Sequence, residues 1–381
     1  MKTSPIRRTR SAILHSSPVR RPYAETKPLS IEAVDLDAPG MDEVLVRVAA
    51  AGLCHSDLSV INGDRPRETP IALGHEASGV VEELGPGISD LNVGDHVVMV
   101  FVPSCGHCAP CADGRAALCE PGAAANGAGT LLSGKRRISL GGESVNHHIG
   151  VSAFSEHVVV SRRSLVRVDK NIPFNEAALF GCAVLTGMGA VVNTANVRPG
   201  ETVAIIGLGG VGLSAVLGAL AAGAGQVVAV DVNLEKLAFA EALGATSTFD
   251  SRESDAVDRI RSITNGGVQV AIETAGVEPA FDFAYEITRR GGQTITASLA
   301  NPSVKIAIQQ VGLVGEERTV RGSYLGGGVP SRDIPRYIDL YQQRRLPVDR
   351  LMTSSGPLEE INAAFDDLAD GKTVRHVIDL T

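Results

Sequence analysis

Residues 202–231 read as strand, glycine turn, helix and strand in immediate succession, and few architectures accept that order. TVAII is an apolar run of strand length that leads into Gly207-Leu-Gly209-Gly210-Val211-Gly212. An Ala- and Leu-rich helix over 213–222 follows, then an apolar strand over 227–230 that ends in Asp231. This is a βαβ unit, whose strands must be parallel and whose crossover is right-handed. The alternation continues with a helix at 234–243, a strand near Thr248, a helix at 255–264 and a strand at 268–273, which predicts an α/β fold with a doubly wound parallel sheet. The glycines permit a tight turn, close backbone approach to a pyrophosphate and close helix packing, and the helix N-terminus favours phosphate charge. Asp231 stands where a carboxylate accepts hydrogen bonds from an adenosine ribose and repels a 2'-phosphate, which points to NAD over NADP. Gly207, Gly209, Gly210, Val211, Gly212 and Asp231 are therefore candidate coenzyme contacts. Lys236 could reach the same ribose or stand solvated, and a glycine turn made for packing alone is the competing reading.

The length of 381 residues leaves room for about two or three domains. Upstream, residues 43–50 (EVLVRVAA) and 77–84 (ASGVVEEL) alternate apolar with polar side chains, and 95–101 (DHVVMVF) is a short apolar run. Gly and Pro punctuate them, so they predict the strands of an antiparallel, barrel-like domain. From Ala177 the apolar spacing turns helical, and residues 16–28 and the Ala/Gly-rich stretch 122–129 read as loops. A last helix at 332–343 and a strand at 374–379 close the chain.

Four of the six cysteines form Cys105-x2-Cys108-x2-Cys111-x7-Cys119. Four thiolates in one short loop suit a closed tetrahedral zinc site with no open position, against the alternative of buried or redox-active cysteines. Cys54 in GLCHSD, His75 in GHE and Cys182 in FGC lie far apart, and their spacing alone leaves their role open.

Composition excludes several classes. A net charge of -8 repels phosphate backbones, and with no Trp and 4% aromatics there is little to stack bases, so nucleic-acid binding is not expected. The apolar runs are broken by glycine and alanine and lack the length of a membrane span. Arg7, Arg8 and Arg10 precede no secretory apolar stretch, which makes a cytoplasmic protein the expectation, with organelle targeting as the alternative.

From about Leu29 to the end the chain resembles the zinc-dependent alcohol dehydrogenases of the medium-chain dehydrogenase/reductase superfamily. GLCHSD, GHEASGVVEELG, the four-cysteine loop, FGCAVLTG, GLGGVG and GKTVRHV carry the resemblance in that order. It implies a GroES-like barrel catalytic domain over 1–183, a Rossmann coenzyme domain over 184–324, and a return to the catalytic domain over 325–381. It also implies two zinc ions per subunit. By motif, Cys54, His75 and Cys182 match the catalytic zinc ligands, and the clustered cysteines match the structural ones. Asp57 matches the carboxylate that orients the ligand histidine, and Glu76 a carboxylate near the metal. Ser56 matches the hydroxyl that contacts the substrate oxygen; His55 and Arg375 match groups that pair with coenzyme pyrophosphate, and Thr186 one that packs on nicotinamide. The implied reaction is hydride transfer between a small-molecule primary or aryl alcohol and NAD, giving an aldehyde or ketone. The family also suggests a homodimer, or a tetramer, paired through an exposed edge near residues 293–306.

The departures narrow the substrate. Liver-type members place a proton-relay histidine where this chain has Ser59, and His147, His148 and His157 are candidate substitutes. SAFSEHVVV and VVNTANVRPG bring the chain nearest to the glutathione-dependent formaldehyde dehydrogenases, class III. Ala123 and Arg65 stand where that class has an arginine and an acid that hold glutathione. S-(hydroxymethyl)glutathione dehydrogenase is thus the alternative activity, and a zinc-bearing binding or scaffold protein the non-enzymatic one. Ser56, Arg65 and Phe101 are the candidate pocket residues, with Arg65 suited to an anionic group.

Overall fold

The computed structural model describes residues 7–381; the first six residues of the expected 1–183 domain lie outside it. Two compact units emerge among the described residues: 7–182 with Val329–Arg336 and Met352–Thr381, and Ala183–Gly328 with Tyr337–Leu351. The segment expected to return wholly to the first domain from residue 325 is therefore divided. Its middle part is tied into the second unit, where Arg350 Nη2 donates to the Ala242 carbonyl at 2.8 Å and Asn193 Nδ2 to Tyr337 Oη at 3.3 Å.

The first unit holds a closed barrel of the strands Arg7–Leu14, Leu29–Leu36, Ile138–Leu140, Glu143–His147 and Ile71–Ala72. Its pairs are antiparallel except Ile71–Ala72 with Glu143–His147, which run parallel. Ile13, Val34, Leu36, Ala72, Ile138 and Val145 fill its interior, the alternate-residue faces that the two-residue period of a strand delivers. The strands read from alternation belong to a separate, seven-stranded sheet. Its order is Leu165–Val168, His96–Met99, Glu76–Leu84, Glu43–Gly52, His376–Asp379 and Ser354–Pro357, with His157–Ser161 also on Glu43–Gly52.

The stretch 122–129, expected as a loop, is largely a helix, Glu120–Gly127. Pro121 sits in its first turn, the Cys119 sulfur accepts from Gly122 N–H at the N-cap, and alanine is the best helix former. Residues 16–28 are irregular apart from the single turn Tyr23–Thr26.

In the second unit six parallel strands take the order Ser247–Asp250, Gln226–Asp231, Thr202–Ile206, Val268–Glu273, Thr288–Thr296 and Thr319–Gly322. Counted along the chain this is 3-2-1-4-5-6, the doubly wound dinucleotide-binding order, whose switch point flanks the first strand. Val228, Val230, Phe249, Ile260, Ala271 and Phe283 pack its core. The helix after the glycine turn begins at Gly210 rather than 213 and runs to Ala221. Gln293 lies in an interior strand, and the exposed edge expected at 293–306 is instead Thr319–Gly322. No helix among the described residues is long and apolar enough to cross a membrane.

Candidate active site and metal centres

Three residues distant in sequence meet at one end of the seven-stranded sheet because of strand register. Gly52, closing one strand, pairs with Glu76, opening the next, so Cys54 just past the first and His75 just before the second emerge side by side. Met99 closes the third strand opposite Ala77, and Gly181 packs against it. A Cβ on Gly181 would stand 2.3 Å from the Met99 carbonyl, so only glycine lets Cys182 approach. The Cys54, His75 and Cys182 ligand atoms all lie within 4.8 Å of one another, and all three residues are buried.

Nδ1 of His75 lies 2.9 Å from Oδ2 of Asp57, and both side chains are inaccessible to solvent. The Asp57 carboxylate faces Nδ1 and fixes the orientation of the ring, and neither ring nitrogen has a hydrogen bond among the described residues. Both Glu76 carboxylate oxygens are likewise buried without a hydrogen bond. Oε2 is only 3.6 Å from Arg375 Nη2, while Arg375 Nη1 donates to the Leu53 carbonyl at 2.8 Å. Burial raises Glu76 to about 7 although Arg375 opposes the shift. Burial disfavours a charged His75, but Asp57 and Cys54 carry it up to about 10. Cys54 is lowered well below the ordinary thiol value, chiefly by a hydrogen bond from Cys182, which is raised in turn. The cluster thus attracts positive charge to the point faced by its two sulfurs and one imidazole. That donor set, with both imidazole nitrogens buried and free of hydrogen bonds among the described residues, fits zinc with a fourth position open.

The other predicted site residues fall around this centre or apart from it. Ser56 is half-buried in the first turn of the helix His55–Ile61, and His55 is exposed. His55, Arg20 and Arg21 help line a cavity of about 450 Å³. Phe101 sets its ring edge-on to His75, centroids 5.3 Å apart. Ser59 Oγ donates to the Ser56 carbonyl at 2.8 Å and accepts from Arg65 Nε at 2.9 Å. Ala123 is exposed on the helix after the cysteine loop.

Of the candidate relay histidines, His148 is at the centre: Nε2 is 3.3 Å from Asp57 Oδ1, and its ring is 5.6 Å from that of His75. Burial lowers it to about 3 against the pull of Asp57, with His75, Arg67 and Arg65 adding to the decrease. His147 instead accepts from Arg137 N–H at 3.1 Å and meets Ser152 Oγ at 3.3 Å. His157 bonds Thr9 Oγ1 and faces Glu82. His148, Asp57 and His75 form a triplet that the sequence reading did not assemble.

Cys105, Cys108, Cys111 and Cys119 converge with their sulfurs within 4.8 Å of one another. Backbone N–H groups of Cys105 and Gly122 point at the Cys119 sulfur at 3.1 and 3.4 Å, and Cys108 N–H at the Cys105 sulfur at 3.3 Å. Burial raises the Cys105 thiol, but N–H donors from His107 and Cys108 bring it down to about 6, while burial pushes Cys111 up to about 12. Four sulfurs cradled by amides are the arrangement of a closed tetrahedral site.

In the second unit Gly207 has φ +89°, and a Cβ on Gly212 would lie 1.8 Å from the Gly207 carbonyl. A Cβ on Gly209 would meet nothing within 4 Å, so the backbone there is open to a ligand. Gly209 caps the helix without a side-chain bond, which leaves its first N–H groups for an anion. Asp231 accepts from Leu208 N–H at 2.6 Å and Asn233 N–H at 2.9 Å, joining the second strand to the turn. Val211 and Lys236 are half-buried and Thr186 is buried in the helix Ala183–Gly189. Glu273, which the sequence marked only as a strand end, is buried and accepts from Thr296 Oγ1, Ser298 Oγ and Gly276 N–H.

Comparison with known proteins agrees with this geometry. The alcohol dehydrogenase GroES-like domain family is matched over residues 40–170 and the zinc-binding dehydrogenase family over 210–343. An NDMA-dependent alcohol dehydrogenase of Amycolatopsis methanolica is 39% identical over 376 residues, 97% of this chain and 98% of the relative. A probable S-(hydroxymethyl)glutathione dehydrogenase 1 of Schizosaccharomyces pombe is 36% identical over 94% of this chain and 95% of its own. The crystal structure of benzyl alcohol dehydrogenase from Acinetobacter calcoaceticus superposes with a TM-score of 0.92 at 31% identity, covering 98% of this chain and 100% of that one.

Proposed function

This chain belongs to the zinc-type alcohol dehydrogenases of the medium-chain dehydrogenase/reductase superfamily, and from that premise we propose an NAD-dependent enzyme that interconverts a primary or aryl alcohol with its aldehyde or ketone. The observation that carries the reading is the buried Cys54–His75–Cys182 donor set, its imidazole nitrogens without a hydrogen bond among the described residues. These residues would hold the catalytic zinc, and the four clustered cysteines a second, structural ion. When bound, zinc supplies a Lewis acid toward an alcohol oxygen and a nicotinamide supplies the hydride acceptor.

The chain's own residues prepare this chemistry. Asp57 holds the His75 ring by its Nδ1 edge, and Glu76 faces Arg375 at 3.6 Å beside the two sulfurs. Ser56, in the turn next to Cys54, is the hydroxyl we assign to hydrogen-bond the alcohol oxygen. Ser59 does not extend that contact, because its hydroxyl donates to one neighbour and accepts from another. In the coenzyme unit, the open turn at Gly209 receives the pyrophosphate and Asp231 the adenosine ribose. Six free thiols in two metal-ready clusters suit the reducing cytoplasm. The edge strand Thr319–Gly322, with exposed Val311 and Val314 before it, would serve a homodimer.

The test is nicotinamide absorbance with benzyl alcohol and NAD or NADP, alongside zinc content. Reduction of NAD that vanishes in Cys54→Ser supports the reading; silence toward every alcohol in zinc-replete protein refutes it. The relative named for NDMA dependence supports a second reading of the electron acceptor, so the same assay is run with NDMA. The fission-yeast relative makes S-(hydroxymethyl)glutathione the competing substrate. Turnover of it equal to that of benzyl alcohol would reverse the argument from Ala123 and Arg65.

A further inference from the structure

Resting on the alcohol dehydrogenase reading of this site, we infer that Arg65 and Arg67 form an oxyanion clamp, and that the preferred alcohol or aldehyde carries a carboxylate or phosphate group. The loop after the helix His55–Ile61 carries both arginines, and each is bonded to a different wall of the metal-ready centre. Arg65 Nε donates to Ser59 Oγ at 2.9 Å, and Ser59 Oγ donates to the Ser56 carbonyl, which puts the first guanidinium two hydrogen bonds from Ser56. The Arg65 backbone N–H also donates to the Ser59 carbonyl at 2.9 Å, so the loop is pinned to the helix at two points.

Arg67 takes the other side. Its Nη1 donates to the Asn126 carbonyl at 3.2 Å, Asn126 Nδ2 donates to the Phe101 carbonyl at 2.7 Å, and the Phe101 ring rests on His75. Both side chains are half-buried, and neither forms an ion pair with a carboxylate among the described residues. The loop's own acids, Asp64 and Glu68, are exposed, and Asp64 accepts from Asn62 Nδ2 at 2.8 Å.

A half-buried guanidinium without an ion-pair partner keeps N–H donors that an anionic ligand can take. Two such groups, each anchored through one acceptor, match the planar, multi-oxygen geometry of carboxylate or phosphate. A sulfur-free, neutral alcohol makes no use of them.

The experiment compares 4-(hydroxymethyl)benzoate with its methyl ester and with 4-(hydroxymethyl)phenyl phosphate, in wild type, Arg65→Gln, Arg67→Gln and the exposed control Arg289→Gln. The expected wild-type kcat/KM for at least one anion exceeds that for the ester by about tenfold or more, a ratio that falls by about tenfold in either loop variant but not in the control. The better of the two anions identifies carboxylate or phosphate as the natural group. Equal efficiency for ester and both anions in wild type, or an unchanged ratio in both loop variants, overturns the clamp. Calorimetry separates this from the parent reading: benzoate should bind the zinc-loaded wild type at least about tenfold more tightly than benzamide, and lose that advantage in both loop variants. If no alcohol is turned over, the activity reading falls, and the benzoate comparison still decides whether the arginines bind an anion.

Discussion

His147 provides a test of the fold that does not depend on any bound metal. It ends the barrel strand Glu143–His147, is 1% exposed, and accepts a hydrogen bond at Nε2 from the Arg137 backbone. An imidazole that accepts at Nε2 carries its proton on Nδ1, toward Ser152 Oγ. A second proton would have to be placed on Nε2, against an N–H donor and in a site closed to solvent. Burial first, then the Arg136 and Arg137 charges, lower His147 from 6.5 to about 3. Between those values the unfolded chain binds a proton that the folded chain refuses, so stability is complete above the unfolded pKa and declines as pH falls. Over the span from pH 8 to pH 5 this group alone removes about 2 kcal/mol. In His147→Gln the amide oxygen can still face Arg137 N–H, and nothing titrates. The variant should lose about 1–2 kcal/mol at pH 8 through poorer packing, yet its further loss on going to pH 5 should be smaller than wild type's by about 2 kcal/mol. Urea unfolding followed by far-ultraviolet circular dichroism measures both, since the chain has no tryptophan. His148 is also lowered to about 3, so wild type stays acid-sensitive and the difference between the two proteins isolates His147. Identical acid losses in the two proteins would show that the folded ring accepts a proton and would refute the burial argument.

Three further outcomes follow from the same geometry. In Cys105→Ala, zinc content measured by atomic absorption should fall by one ion per chain while the Cys54 centre stays loaded, because the two sets share no ligand. Loss of both ions would mean the centres are interdependent. In Gly212→Ala the new methyl would stand 1.8 Å from the Gly207 carbonyl, so the turn must shift. NAD affinity by calorimetry should then drop by about tenfold or more, an overpacking cost of about 1–3 kcal/mol, and unchanged affinity would disprove the tight-turn assignment. In Gly52→Ala the methyl would lie 2.7 Å from Glu76 Oε1 and push that carboxylate away from Arg375. A fall in kcat/KM of about tenfold with the secondary structure intact is expected, and normal turnover would remove Glu76 and Arg375 from the working site.

What could be read from the sequence follows the range of the interactions involved. GLGGVG and Asp231 were readable because turn, helix start and carboxylate lie in one βαβ unit, and even there the helix start was misplaced, since Gly210 continues directly from its cap Gly209. The helix Glu120–Gly127 was missed because its composition suggests a loop, while its N-cap is a cysteine sulfur rather than a Ser, Thr, Asn or Asp. A barrel-like domain is legible in the sequence but its own strands are not, because two-residue Ile71–Ala72, which closes the ring, has no periodicity to detect. His148 shows the limit most clearly. Nothing near it in sequence distinguishes it from His147, and both are buried in neutral form. The one lies against Arg137 on the barrel wall, and the other reaches Asp57 because His148 N–H bonds the Ala72 carbonyl just before His75. The neighbouring Gly74 N–H donates to the same Asp57 carboxylate at 3.0 Å. Asp57 is thus gripped from two chain segments while it orients His75, so the stiffness of the proposed metal ligand originates in barrel strand pairing. A substitution at Ala72 or Gly74 should therefore disturb metal affinity without touching a ligand. At Gly74 the cause is explicit, since its φ is +96° and a Cβ would lie 2.4 Å from Phe154 N.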